Sequence, residues 1–138
     1  MESNLQFNND LSYLAGYFDG EGCISFGKVR KGAPYLKIAV TTGDEVPIQK
    51  FCLIFGGKLN KPSFGVNRQL YSWYAHGKRA QEILRVLSPF LLAKRAQAEL
   101  ALTLKYEGYG CKVSKEERHL RFTVAEKVSE LNNPVSIQ

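Results

Sequence analysis

Two carboxylates separated by a single glycine, Asp19 and Glu21, close a stretch that reads L-S-Y-L-A-G-Y-F-D-G-E-G from Leu11 to Gly22. Carboxylate oxygens bind hard cations and hydrogen-bond donors, so the pair is the first place to look for chemistry. The elements needed to position it are written in the same stretch. Apolar residues at Leu11, Leu14, Ala15 and Phe18 follow the i, i+3, i+4, i+7 spacing of an amphipathic helix of about three turns, and Asn9 or Asp10 can cap its start. Local physics opposes this helix at two points. Gly16 costs about 1 kcal/mol against Ala in a helix interior and recurs as Gly20, leaving a side with almost no bulk. The acids stand at the C-terminal end, where the helix dipole disfavours them by roughly 0.3–1 kcal/mol. Such local contradictions mark function.

The residues L-A-G-Y-F-D-G-E-G, Leu14 to Gly22, resemble the signature of the LAGLIDADG homing endonucleases. In that family the signature helix packs on its copy across a two-fold or pseudo-two-fold axis, and the last acid of each helix holds a divalent metal at the scissile phosphate. The resemblance implies that Glu21 and the Gly20 carbonyl are metal ligands. It places Leu11, Ala15, Gly16 and Asp19 at the helix–helix interface. Glu stands here where the family name spells Asp, which moves the carboxylate by about one bond length.

The chain has 138 residues, expected to form one domain over 1–138 with a real core, and a formal charge of +6 that favours a polyanionic partner. From Cys23 to Gln81 there are ten Lys or Arg and two acids, Asp44 and Glu45, so the central segment reads as a basic surface. Cys23, Cys52 and Cys111 form no C-x-x-C pair and read as reduced packing thiols of a cytosol-like compartment rather than zinc ligands. The first ten residues read as neither a transit nor a signal peptide, and no apolar run approaches 18 residues. A soluble protein, away from the membrane and retained where it is made, in the cytoplasm or an organelle interior, is expected.

The order of elements predicted from pattern is α-β-β-α-β-β-α-α with a last short helix, an α+β fold. Strands are predicted at Cys23–Lys28 and Tyr35–Thr42, joined by the basic hairpin Val29–Pro34. Ile24 and Phe26, with Leu36, Ile38 and Val40, take the core face. Ser25, Gly27, Tyr35, Lys37, Ala39 and Thr41 take the other. Such a ribbon fits a DNA major groove, about 12 Å wide, or equally a half-exposed sheet in water. Asp44 caps a predicted helix Glu45–Phe55 with Ile48, Phe51, Cys52 and Phe55 inward and Gly56-Gly57 as its stop. A second strand pair, Lys58–Lys61 and about Gln69–Ala75, turns Leu59, Tyr71 and Trp73 inward and Lys58, Asn60, Arg68 and Ser72 outward. His76 reads as a loop or cap residue rather than a general base.

A helix is predicted over Lys78–Leu87, then, from the Ser88-Pro89 start signal, a longer one to about Tyr106. Its S-P-F-L-L-A-K-R-A-Q-A-E-L segment resembles the second recurrent segment of the same family, which makes Lys94 the active-site lysine; on its own pattern it reads as a solvated helix lysine. The tail holds two candidate capping boxes, Ser114 with Glu117 and Thr123 with Glu126, and one helix of about Val124–Asn132.

The resemblance covers roughly Leu11 to Tyr106 and implies the LAGLIDADG endonuclease fold, with an α-β-β-α-β-β-α core, an antiparallel β saddle and an extra C-terminal helix. There is one signature helix, so a homodimer is expected to complete the site. Two Glu21 carboxylates brought near a dyad are costly without a cation, most simply Mg²⁺. Family members place a Gln at the end of the second strand to hold a water; the aligned position is Thr42 or a neighbour, and Asp44-Glu45-Val46 stands where Arg is frequent.

The function implied is metal-dependent, site-specific cleavage of double-stranded DNA on a long near-palindromic site, by a protein encoded in an intron or intein. Expected DNA contacts are Ser25, Lys28, Arg30, Lys31, Tyr35, Lys37, Lys58, Asn60, Lys61, Arg68 and Ser72. The competing expectation is a non-catalytic binder on the same fold, an intron RNA maturase or a DNA-binding regulator. The presence of Glu21 and Lys94 favours the enzyme.

Overall fold

The computed structural model describes residues 2–28, 32–62, 68–106 and 113–133. Its elements in chain order are α1 (Glu2–Glu21), β1 (Gly22–Gly27), β2 (Tyr35–Thr42), α2 (Glu45–Phe55), β3 (Tyr71–His76), α3 (Gly77–Leu87), a 3₁₀ turn (Ser88–Phe90), α4 (Arg95–Leu102) and α5 (Lys115–Asn132). The strands form one antiparallel sheet in the order β1-β2-β3. The fold is α+β, as expected.

The alternation in β2 decides the layers. Leu36, Ile38 and Val40 are fully buried, and their partners across the sheet, Ile24 in β1 and Trp73 and Ala75 in β3, point the same way. Against this face pack Leu11, Leu14, Ala15 and Phe18 of α1, Ile48 and Phe51 of α2, and Ala80, Leu84 and Leu87 of α3. Trp73 stacks on Phe51 at 4.9 Å between ring centroids, and its indole N–H donates to the Gly56 carbonyl at 2.9 Å. Gly56 and Gly57 end α2 with φ of 81° and 97°, a region that favours glycine, as the Gly-Gly stop implies.

Several expectations are corrected. The first helix begins at Glu2, so Asn9 and Asp10 lie inside it rather than capping it. Asp10 instead accepts from Gln6 one turn earlier and pairs with Lys50 of α2 at 2.9 Å, two contacts that extend the helix where apolar periodicity is absent. The Lys58–Lys61 strand shrinks to one bridge, Asn60 with Ser72. Asp44 occupies the N-cap position of α2 with no side-chain cap bond. Phe26, Cys52 and Phe55 are partly rather than fully buried.

The tail uses the first capping box: Ser114 Oγ accepts from the Glu117 amide at 3.1 Å, while Thr123 donates to His119 within the helix, so α5 starts nine residues earlier than expected. Helix α5 packs on α4 and β1, and Asn132 Nδ2 donates to the Ile24 carbonyl on the outer edge of β1 at 2.7 Å. Cys23 is exposed, not a packing thiol; Cys111, Arg30 and Lys31 lie outside the described residues. No helix is long and apolar enough to cross a membrane among the described residues.

Candidate functional site

The helix predicted from Ser88 to Tyr106 is broken, and the break builds the site. After the 3₁₀ turn the amides of Leu92, Ala93 and Lys94 all donate to the Asp19 carboxylate, at 2.9, 2.8 and 2.9 Å, and α4 starts only at Arg95. An acid that its own helix end disfavours is thus taken up by the free amides leading into a second helix. Burial works to raise the Asp19 carboxyl, but the three amide bonds and the Lys94 charge outweigh it and hold the pKa below the usual carboxylate value. The acid's apparent misplacement is resolved.

The same turn delivers Lys94. Its ammonium donates to the Asp19 carbonyl at 2.6 Å, one of the last carbonyls of α1, which have no partner within the helix. Two ammonium protons remain for other acceptors. Gly20, next along, carries another such carbonyl, and Glu21 follows as the last helical residue, exposed to solvent. Helix α1 runs into β1 without a loop. A Cβ at Gly22 would lie 2.6 Å from the Phe18 carbonyl, so only glycine permits this tight passage.

Thr42 reaches the same helix from the sheet. Its hydroxyl oxygen accepts from Tyr17 Oη at 2.8 Å and from the Asp44 amide at 3.3 Å, which leaves its own hydrogen free to donate. Tyr17 stands one turn before Glu21 on α1. Lys94 and Thr42 are therefore both tied to the last turns of α1, at Asp19 and Tyr17, and Glu21 closes the same helix. Among the described residues the ion pairs are Lys50–Asp10 and Arg121–Glu117, so Glu21 has none.

The four expected interface positions separate. Leu11 and Ala15 are 5 % and 0 % exposed within the chain's own core, and Asp19 is bound to its own Leu92–Lys94 turn. Of the four, Gly16 alone lies on the open side of α1, with Tyr13 and Gly20; a Cβ added at either glycine would meet nothing within 4 Å. The helix has a filled side and a bare one, and the four positions are divided between them.

Across the outer face of the sheet the residues fall in rows: Ser25–Lys37–His76, Cys23–Ala39–Tyr74, and Thr41–Ser72 with Asn60 bridged to Ser72. Ser25, Lys37, Asn60 and Ser72 are partly exposed, while Lys28, Tyr35, Lys58, Lys61 and Arg68 are exposed. Tyr74 and His76 belong to this face and were not anticipated, although their alternation with buried Trp73 and Ala75 carries the signal. Beside it a cleft of about 860 Å³ opens between the hairpin and α5, lined by Ser25, Phe26, Lys28, Phe122, Glu126 and Ser129 among others.

No family model and no curated protein sequence matches the chain. Solved structures do. The chain is similar to the homing endonuclease I-CvuI, in complex with the I-CreI target in the presence of Mg with the DNA not cleaved, at 23 % identity over 95 % of this chain and 87 % of that one, with a TM-score of 0.77. It is similar to the archaeal intron-encoded homing endonuclease I-Vdi141I complexed with DNA, at 13 % identity over 95 % and 89 % of the two chains and a TM-score of 0.66. It also matches the I-SmaMI LAGLIDADG homing endonuclease bound to cleaved DNA, at 18 % identity and a TM-score of 0.52, covering 92 % of this chain but 43 % of that one.

Proposed function

We propose that this chain, which has the LAGLIDADG homing-endonuclease fold, is a site-specific, metal-dependent double-stranded DNA endonuclease that works as a homodimer. The observation that carries the reading is that Lys94 and Thr42 are both bonded to the last turns of α1, at Asp19 and Tyr17, while Glu21 at its end is exposed and in no ion pair among the described residues. Neighbours of the same fold were solved with DNA, in Mg or in Ca, which supports a duplex partner and a divalent cation.

A hard cation fits the donors present. Glu21 offers an exposed carboxylate and Gly20 an orphan helix carbonyl, both oxygen ligands of the kind Mg²⁺ takes with water and phosphate. One chain offers a single such carboxylate here, and its described residues contain no cluster of three or more His, Cys, Asp or Glu. A second copy, packed through the bare Tyr13–Gly16–Gly20 side, brings a second Glu21 to the dyad. That one unit spans 43 % of the I-SmaMI chain accords with a working nuclease made of two such units.

Glu21, through its carboxylate, and Gly20, through its carbonyl, would hold a divalent metal, which would supply neutralisation of phosphate charge and activation of water. Lys94, its ammonium fixed at the Asp19 carbonyl, directs its remaining protons at the phosphate oxygens, where charge builds up in the transition state. Thr42 donates its free hydrogen to a water at the phosphate, oriented by the Tyr17 and Asp44 bonds. The outer sheet face of each subunit lies along the major groove to either side, with Lys28, Lys37, Lys58, Lys61 and Arg68 towards phosphates and base edges.

Incubation with a randomised duplex library, in Mg²⁺ or in Ca²⁺, followed by sequencing of cut ends, tests the proposal. Cuts at near-palindromic sites in Mg²⁺ are expected. Enrichment by binding with no cuts in either metal would replace the nuclease with a non-catalytic binder on the same fold.

A further inference from the structure

The row Ser25–Lys37–His76 crosses all three strands, and its β3 end was assigned no role in recognition. His76 is exposed, and its ring lies between two tyrosines, 5.6 Å from Tyr35 and 5.1 Å from Tyr74, tilted about 60° from each. Tyr74 is 42 % exposed and carries Lys37 Nζ over its ring at 5.6 Å from the centroid. His76 occupies the N-cap position of α3, yet its side chain makes no cap bond. A polar ring is held in place by aromatic walls, with its nitrogens left for something outside the chain.

We propose that Lys37 and His76 jointly read one guanine in each half of the DNA target, Tyr35 and Tyr74 fixing the geometry. The inference rests on the DNA-binding reading above and adds which residues specify a base, and which base. Lys37 and His76 are direct cross-strand partners, whose Cβ atoms stand roughly 4.5–5.5 Å apart, so both side-chain donors can converge on one base edge. Guanine presents two adjacent acceptors, N7 and O6, to the major groove; adenine puts a donor in place of O6, which neither the Lys37 ammonium nor a His76 N–H can use.

The electrostatics favour a base over a phosphate. Partial desolvation first, then the positive charges of Lys37 on β2 and Arg79 on α3, push the pKa of the His76 ring below its ordinary value, which favours its neutral form. The other titratable groups against it are the tyrosines Tyr35 and Tyr74. A neutral ring adds a directed N–H without a second cation. Arg79 is occupied, donating to the Phe55 and Gly56 carbonyls at 3.0 and 2.8 Å, and does not compete for the base.

The test selects bound sequences from a randomised duplex library in Ca²⁺ with the unsubstituted protein and with His76→Ala, His76→Gln, Lys37→Ala, the His76→Ala Lys37→Ala double substitution and, as a control on the exposed side of α5, Lys127→Ala. The protein itself should enrich guanine at one position per half-site. His76→Ala and Lys37→Ala should each lower that preference about tenfold at the same position, the double substitution adding little, while other positions keep theirs. His76→Gln, which keeps an N–H donor, should retain part of the preference, and Lys127→Ala should leave the position unchanged. Enrichment that persists unaltered in His76→Ala, or losses at two different positions, or a preference for adenine, would overturn the guanine assignment alone. No enrichment of any sequence by the unsubstituted protein would overturn the DNA-binding reading with it.

Discussion

The inner and outer sides of α1 are made from the same twenty residues and do opposite work. Inward, Leu11, Leu14, Ala15 and Phe18 are buried, and Asp19 is tied by three amides and a lysine to a turn some seventy residues away. Outward, Tyr13, Gly16, Gly20 and Glu21 touch little, and among the described residues Glu21 has no ion pair. The two acids make the contrast sharpest. Asp19 is stabilised by its surroundings and holds the fold together; Glu21 is exposed and, among the described residues, in no ion pair, which leaves its carboxylate open to a cation or a second subunit.

The largest effect expected from breaking this contrast lies inward. Phe18→Ala opens a cavity beneath the sheet and should cost about 3–5 kcal/mol, read as a lowered denaturant midpoint. Glu21→Gln should leave the midpoint unchanged and slow cleavage in Mg²⁺ by roughly 10²–10³, the scale seen when one preorganised electrostatic group is removed, with DNA binding in Ca²⁺ retained. A Glu21→Gln enzyme that cuts at the unsubstituted rate would put the metal elsewhere.

Asp19→Asn should fall between. The amide keeps an acceptor for the Leu92–Lys94 turn but loses the charge that strengthens those bonds, a cost of about 1–2 kcal/mol, together with slower cleavage as Lys94 loosens. Because the folded-state pKa is depressed, the carboxylate's contribution is present above its unfolded value near 3.8 and is lost as pH falls through the lower folded value. The stability gap between Asp19→Asn and the unsubstituted protein should therefore be constant near neutrality and close in acid; a gap that persists below that range would mean packing, not charge, at this position.

What pattern could and could not reveal follows the same division. The bounds of β2 and α2 are those expected to the residue, because strict alternation in one and apolar spacing closed by Gly-Gly in the other are local signals. The break at Leu91–Lys94 was invisible, since L-L-A-K-R-A-Q is a good helix and only a carboxylate from α1 unwinds it. Family resemblance pointed to Lys94, but nothing local showed that its backbone and side chain are both held by Asp19. The expected interface positions differ for a related reason: small size marks Ala15 and Gly16 alike, and only the packed structure separates a small residue inside the core from one outside it.

Gly16→Leu sharpens that separation, because its two effects have opposite sign. The folded subunit has room for the side chain, and replacing a mid-helix glycine should raise subunit stability by about 0.5–1 kcal/mol. The same side chain stands in the proposed dimer contact, so sedimentation should show a monomer and cleavage should fail. A Gly16→Leu protein that remains dimeric would move the interface off this side of α1.

The smallest effect tests how far the working surface extends beyond α1 towards the sheet. Arg68 is exposed, and its guanidinium reaches Gly43, beside Thr42, the strand end tied to α1 through Tyr17; Nη2 lies 2.9 Å from where a Gly43 Cβ would stand. A phosphate contact from this position would run along the same groove as the cleavage site, close to it. Arg68→Ala should then weaken DNA binding and reduce the slope of log affinity against log salt by about 0.9, one phosphate's worth, without altering which sequences are selected. A weakened complex with an unchanged slope would mean that Arg68 acts by ordering the Gly43 turn, and that the outer side of α1 and the sheet meet DNA as two separate surfaces.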